Sequence, residues 1–176
     1  RYDQAIENYQ LVIGNTAAKG RAEWLKARYG MAYAYYNAKQ YSKALVHFKE
    51  YVNALETAQD KQYYDDALLR LADRYYVNKS YDNALNYYNK AVRFNKVDND
   101  YAPLQAGTVM GIQSNVAGAV SEYNYLIKTY PKSRYMVDAL FKKGQLYLEK
   151  GNYQEAVDGF TQLIVRKPSS RFVPYG

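Results

Sequence analysis

Apolar residues recur along this chain at i, i+3, i+4 and i+7, the spacing that lines one face of an α-helix. The pattern is clearest between Pro131 and Pro168. Val137, Leu140, Phe141, Gly144, Tyr147 and Leu148 form one stripe, and Tyr153, Ala156, Val157, Phe160, Leu163 and Ile164 form a second. Lys150-Gly151-Asn152 lies between them as a turn, with Gly151 suited to ending the first helix. Ser133 is placed to cap that helix after Pro131 has stopped what precedes it. The prediction is a helix–turn–helix hairpin of the length used by stacked helical repeats.

A fixed spacing then marks further hairpins. Gly144 is followed by Ala156 and, four residues later, by Phe160. The same triplet returns as Ala32, Ala44 and Phe48, as Ala72, Ala84 and Tyr88, and as Gly107, Ala119 and Tyr123. Ala5 and Tyr9 are its second half alone. Helices approach to roughly 8 Å only where side chains are tiny, and an aromatic one turn on fills the wedge beside the contact. The pattern predicts a helix over Tyr2–Ile13, then hairpins from Trp24–Ala38 with Tyr41–Leu55, and Gln62–Asn78 with Tyr81–Asn95. A third pair is capped by Asp100, with Pro103 in its first turn, and the Pro131–Pro168 hairpin completes the series.

These residues resemble the tetratricopeptide repeat family. The resemblance includes a tyrosine three residues after the small residue of helix A (Tyr35, Tyr75, Tyr147), the alanine of helix B with its aromatic, and the closing Pro131 and Pro168. Departures are Arg28 and Pro103 at an early helix-A position that the family fills with a large residue, Met110 in place of the tyrosine, and Glu56 and Lys96 where a closing proline is expected. The resemblance implies an all-α fold, a right-handed α-solenoid of antiparallel helix–turn–helix repeats. As one solenoid over 1–176, the chain divides into an orphan helix B (1–21), repeats at 22–61 and 62–97, a divergent repeat at 98–131, a repeat at 132–168 and the start of another at 169–176. Ser169-Ser170-Arg171-Phe172-Val173 echoes Lys132-Ser133-Arg134-Tyr135-Met136, so both ends are expected to be cuts through a longer array.

Composition changes this picture in three places. There are 23 tyrosines against 5 phenylalanines and 1 tryptophan. Tyrosine packs its ring and keeps its hydroxyl wet or bonded, which suits thin helical layers. The net charge is +7, scattered among both signs, which reads as a solvated surface. The absence of cysteine excludes disulfides, thiol catalysis and cysteine-held metal. Between Asp100 and Glu122 no residue is charged, so the 101–121 stretch is expected either to be enclosed by neighbours or to be an uncharged contact patch.

The search for chemistry finds no convergent titratable cluster, so no enzyme activity, cofactor or metal is expected. His47 is the only histidine and sits beside Phe48. Asp98-Asn99-Asp100 lacks the glycine and distal glutamate of a calcium loop and reads as a linker with a cap. What remains is surface. In the resembled family helix A lines a concave side that binds peptides or protein segments. Here the corresponding residues are Tyr29, Tyr33, Tyr36 and Asn37, then Asp66, Arg70, Asp73 and Tyr76, then Tyr101, Gln105 and Thr108, and last Lys142, Gln145 and Glu149. The expected function is a non-catalytic scaffold holding a protein or peptide partner, part of a larger bacterial protein. The phrase Tyr130-Pro131-Lys132-Ser133 followed by Ala139 resembles repeats of bacterial envelope proteins, among them outer-membrane assembly lipoproteins and Tol–Pal partners, which implies a periplasmic or outer-membrane-associated location. Two alternatives stand beside it. One is nucleic-acid binding along Lys90, Arg93, Lys96, Lys128, Lys132 and Arg134. The other is a structural spacer that self-associates through exposed Ile6, Val12 and Ile13.

Overall fold

The structure is a computed structural model, and it describes residues 2–15, 17, 19–56, 58, 61–94 and 99–166. The expectations placed on Asn95, Lys96, Asp98, Pro168 and 169–176 lie outside the described residues. The described residues form nine α-helices: α1 (Tyr2–Ile13), α2 (Ala22–Asn37), α3 (Tyr41–Leu55), α4 (Tyr64–Val77), α5 (Tyr81–Phe94), α6 (Tyr101–Ile112), α7 (Val116–Thr129), α8 (Met136–Glu149) and α9 (Tyr153–Arg166). Two compact units emerge, Arg1–Tyr87 and Tyr88–Gly176, with the boundary inside α5.

In the first unit α2 packs against both α1 and α3, and α3 against α4. Ala32, Ala44, Ala67 and Ala72 are buried at these contacts beside Phe48, Leu68 and Leu71. Full burial of one such leucine is worth about 2 kcal/mol. In the second unit α6 packs on α7, α7 on α8, and α8 on α9. Leu104, Ala119, Tyr123, Leu126 and Ala139 make one core cluster, and Met136, Leu140 and Leu163 make another.

The small residues are where the helices meet. A Cβ on Gly107 would stand 2.6 Å from the Tyr123 ring and 3.1 Å from the Ala119 carbonyl oxygen, so this triplet is a single contact. A Cβ on Gly144 would stand 2.7 Å from the Phe160 ring. Two glycines outside the spacing do the same work. A Cβ on Gly159 would lie 3.3 Å from the Gly144 Cα, so α8 and α9 cross nearly backbone to backbone. Gly30 of α2 lies under the Tyr9 ring, where a Cβ would be only 2.5 Å away, and this seats α1.

The turns within the hairpins share one conformation. Lys39, Lys79, Ser114 and Gly151 all have positive φ, between 58° and 74°. In each, the amide of the following residue donates back across the turn: Gln40 to Tyr35 O, Ser80 to Tyr75 O, Asn115 to Met110 O and Asn152 to Tyr147 O. This is the left-handed helix ending that satisfies otherwise orphaned carbonyls. Only Gly151 adopts it without crowding from a Cβ.

Several local expectations change. Asp100 makes no side-chain cap bond; instead its neighbour Asn99 is buried and donates to the Ala91 carbonyl at 2.9 Å, tying α5 to the start of α6. Ser133 Oγ accepts from the Tyr135 amide at 2.9 Å, ahead of the first residue of α8. The side chain that caps a helix is Asn115, which accepts from the Gly118 amide at the start of α7. The uncharged 101–121 stretch divides: Ala102, Pro103, Leu104, Ala106, Gly107 and Val109 are buried, whereas residues 112–115 are exposed. A helix apolar all round belongs between neighbours. Ile6 is buried against the hairpin rather than exposed, so it is not available for self-association. Of the stripes read from sequence, Tyr153, Val157 and Ile164 are exposed, because α9 meets a helix on only one side among the described residues, and Leu148 is exposed at the C-terminal end of α8. Val12 is exposed, as expected.

Candidate functional site

The predicted binding residues form two separate groups, one in each unit. In the first unit, successive turns of α2 carry Tyr29, Tyr33 and Tyr36, and the first two turns of α4 carry Asp66 and Arg70. The tyrosines at i, i+4 and i+7 share one face of α2. Both Tyr29 and Tyr33 hydroxyls donate to Asp66 Oδ2, at 2.8 and 2.5 Å. Arg70 Nε donates to the Tyr33 hydroxyl at 2.9 Å, and Arg70 Nη2 reaches Asp66 Oδ1 at 3.3 Å. The guanidinium also lies 5.8 Å from the Tyr33 ring and 5.7 Å from the Tyr36 ring, within cation–π reach. Burial, then the bond to Asp66, raises the Tyr29 and Tyr33 hydroxyl pKa values above the usual tyrosine range. Burial works against the Arg70 charge, but Tyr33 and Asp66 outweigh it and its pKa is raised. The cluster is a locked array of ring faces and hydroxyl tips with one carboxylate and one guanidinium.

Beside it lies a cavity of about 530 Å³ whose wall includes Tyr9, Tyr29, Tyr51 and Tyr63. Tyr63 stacks on Tyr29 with ring centroids 5.0 Å apart. Sequence periodicity placed Tyr63 inside a helix; it stands just before α4 with φ at 55°, and that conformation turns its ring back onto α2. The Tyr51 hydroxyl donates to the Gln62 carbonyl and holds the loop in place. Both lie inside helices expected from the sequence, Tyr41–Leu55 and Gln62–Asn78, so periodicity does not single them out.

In the second unit, Thr108 of α6 and Lys142, Gln145 and Glu149 of α8 line a shallow cavity of about 250 Å³. The Thr108 hydroxyl donates to the Leu104 carbonyl of its own helix at 2.8 Å, so its donor is already used. Asn37, Asp73, Tyr76, Tyr101 and Gln105 line neither of these two cavities; Tyr76 pairs with Tyr81, and Tyr101 with Tyr88 and Tyr135. Of the basic residues considered for nucleic acid, Arg93, Lys128, Lys132 and Arg134 are exposed and Lys90 is half-buried, while Lys96 is outside the described residues. Arg134 lies over the Tyr135 ring at 4.7 Å. No helix among the described residues is long and apolar enough to cross a membrane.

His47 and Arg28 turn out to be partners. His47 Nδ1 lies 2.8 Å from Arg28 Nη1, which also pairs with the Glu50 carboxylate. An arginine has no acceptor, so His47 Nδ1 must be unprotonated to accept. Burial, then the Arg28 charge, lowers the His47 pKa, with Glu50 opposing. Its ring also stacks on Tyr35. Above about pH 6.5 the imidazole is neutral in folded and unfolded chains alike. Below that, the unfolded chain takes the proton first, so stability falls as pH drops from about 6.5 toward the lowered folded value. Urea midpoints at about pH 7.5 and about pH 5 should therefore differ more in the wild type than in His47→Gln, which keeps an acceptor and cannot titrate. Equal pH dependence in both would show that His47 is not held neutral.

Two segments, residues 26–54 and 138–170, match the tetratricopeptide repeat. Solved structures similar to nearly the whole chain include MamA, with a TM-score of 0.72 at 19% identity over 95% of this chain and 89% of that one. A second is YrrB, described as a tetratricopeptide repeat protein with an unusual peptide-binding site, with a TM-score of 0.72 at 21% identity over 96% of this chain and 79% of that one. The fold is therefore an all-α tetratricopeptide solenoid. No curated protein matches the sequence.

Proposed function

We propose that this tetratricopeptide solenoid is a protein-interaction scaffold whose first unit holds a polypeptide segment on the face formed by Tyr29, Tyr33, Tyr36, Asp66 and Arg70. The observation that carries the reading is the convergence of two tyrosine hydroxyls and one guanidinium on the Asp66 carboxylate, next to a tyrosine-lined cavity. Rigid aromatic area with polar tips loses little conformational entropy on binding, and tyrosine and arginine are enriched where interfaces derive their energy. The reading is one of recognition without turnover: hydroxyls whose pKa is raised are poor nucleophiles and poor bases at neutral pH. The peptide-binding site named for YrrB supports the same class of ligand. Asn37, Asp73, Tyr76, Tyr101, Gln105, Thr108, Lys142, Gln145 and Glu149 extend the proposed surface. The resemblance around Tyr130-Pro131-Lys132-Ser133 supports a place in a bacterial cell envelope.

The test is a display selection of peptides against the full chain, with the tightest binder then mapped by amide chemical shifts. The shifts are expected to gather on α2 and the first half of α4. A binder whose shifts fall elsewhere, leaving residues 29–36 and 66–70 unmoved, would overturn the assignment.

A further inference from the structure

One face of the first unit holds a second, chemically different cavity, of about 400 Å³. Ile13 of α1, Trp24 and Arg28 of α2, Glu50 and Asn53 of α3, and Lys19 line it. Arg28 is only 9% exposed, unusual for a charged side chain. Its guanidinium lies 4.7 Å from the centre of the Trp24 ring. Nη1 alone serves both the Glu50 carboxylate and His47 Nδ1, while Nε is buried without a hydrogen-bond partner. The charges lining the cavity are two positive, Lys19 and Arg28, and one negative, Glu50. His47 adds none, because it accepts from Arg28. Glu50 is itself 46% exposed, so it covers the guanidinium from the solvent side and can turn away.

We propose that this cavity is a binding site for a carboxylate attached to a flat apolar group. The carboxylate takes the place of Glu50 on the planar guanidinium, whose fork matches two carboxylate oxygens. Asn53 and Lys19 supply further donors, and Ile13 with Trp24 forms the apolar wall. The volume falls in the range of small-ligand sites. The site stands apart from the Asp66–Arg70 face, so its failure would leave the proposed function untouched. A free aromatic acid and the C-terminal residue of a peptide present the same chemistry.

Trp24 is the only tryptophan, so its emission reports on this cavity alone. The full chain would be titrated with benzoate and with N-acetylphenylalanine, and in parallel with benzamide and N-acetylphenylalanine amide. A saturable emission change is expected for the carboxylates and not for the amides; which acid binds more tightly distinguishes the free ligand from the chain terminus. Glu50→Gln removes the competing carboxylate and should tighten binding severalfold. Arg28→Lys keeps the charge, loses the fork and should weaken binding by about tenfold. No saturable change with either acid would overturn the site, as would amides binding equally well or Glu50→Gln weakening the affinity. If Arg28→Lys fails to fold, the acid–amide comparison on the unaltered chain still decides.

Discussion

Gly144→Leu is expected to destabilise the protein by about 3 kcal/mol, the upper end of the usual cost of overpacking. The α8–α9 contact has no slack at this point. A Cβ alone would meet the Phe160 ring at 2.7 Å, and the Gly159 backbone lies directly opposite. A leucine adds three more carbons with no vacant volume to enter, so α9 must move away and uncover Leu163, now 1% exposed. Gly144→Ala makes the sharper comparison. It gains up to about 1 kcal/mol of helix propensity, set against the outright displacement of the Phe160 ring, three of whose atoms would stand only 2.7–2.9 Å from the new Cβ. Its net effect should therefore be a smaller loss, of about 1 kcal/mol. Urea unfolding followed by helical circular dichroism measures both. A Gly144→Leu variant as stable as the wild type would show that α8 and α9 do not meet through this notch.

Asp66→Ala is the second substitution with a large expected effect. One carboxylate here accepts from Tyr29, Tyr33 and Arg70. Removing it leaves two half-buried hydroxyls and a guanidinium facing one another. Hydrogen bonds to a charged group are worth about 1.5–3 kcal/mol each, but the Arg70 side chain is 36% exposed and that ion pair is screened. A total loss of about 2–3 kcal/mol follows, rather than the full sum. Asp66→Asn retains an acceptor for the tyrosines while turning an amide toward Arg70, so it should cost about half as much. Because burial, and then the carboxylate, raises both phenol pKa values, the wild type should lose stability as pH climbs through about 10, where unfolded tyrosine ionises first. Asp66→Ala should lose less over the same window. If the face binds peptide as proposed, affinity should fall about tenfold in either variant. Unchanged stability in Asp66→Ala would mean that water replaces the carboxylate without cost.

The spacing of small residues made the hairpins legible because a tight helix crossing leaves few chemical options. Ala32, Ala44, Ala72, Ala84 and Ala119 are all at most 2% exposed. Gly30 and Gly159 escaped that reading because their partners, Tyr9 of α1 and the backbone of Gly144, are not part of the repeated triplet. The convergence of Tyr29, Tyr33, Asp66 and Arg70 was half visible. Helical periodicity puts the tyrosines on one face, but it cannot say that α4 aims Asp66 between them. Tyr63 was hidden because a left-handed residue before a helix leaves no periodic trace. Arg28 looked like a departure from the repeat pattern. In the structure it occupies the position of a large apolar side chain, lying on Trp24 and tethered by His47 and Glu50. The exposed Val157 and Ile164 show the limit of stripe reading: an apolar position is buried only where a neighbouring element reaches it.

The left-handed turns have a further consequence. Lys39, Lys79, Ser114 and Gly151 each stand seven residues after the small residue of one helix and five before the alanine of the next. An inserted residue at such a turn would rotate the following helix by about 100° about its axis and swing the alanine out of its seat. Length variation must therefore collect in the links between hairpins, as it does here, where the spans from Ala44 to Ala72, Ala84 to Gly107 and Ala119 to Gly144 all differ. A tag, probe or foreign loop spliced into those links would leave the meshing of each hairpin undisturbed, whereas the same insert at a turn would throw it out of phase.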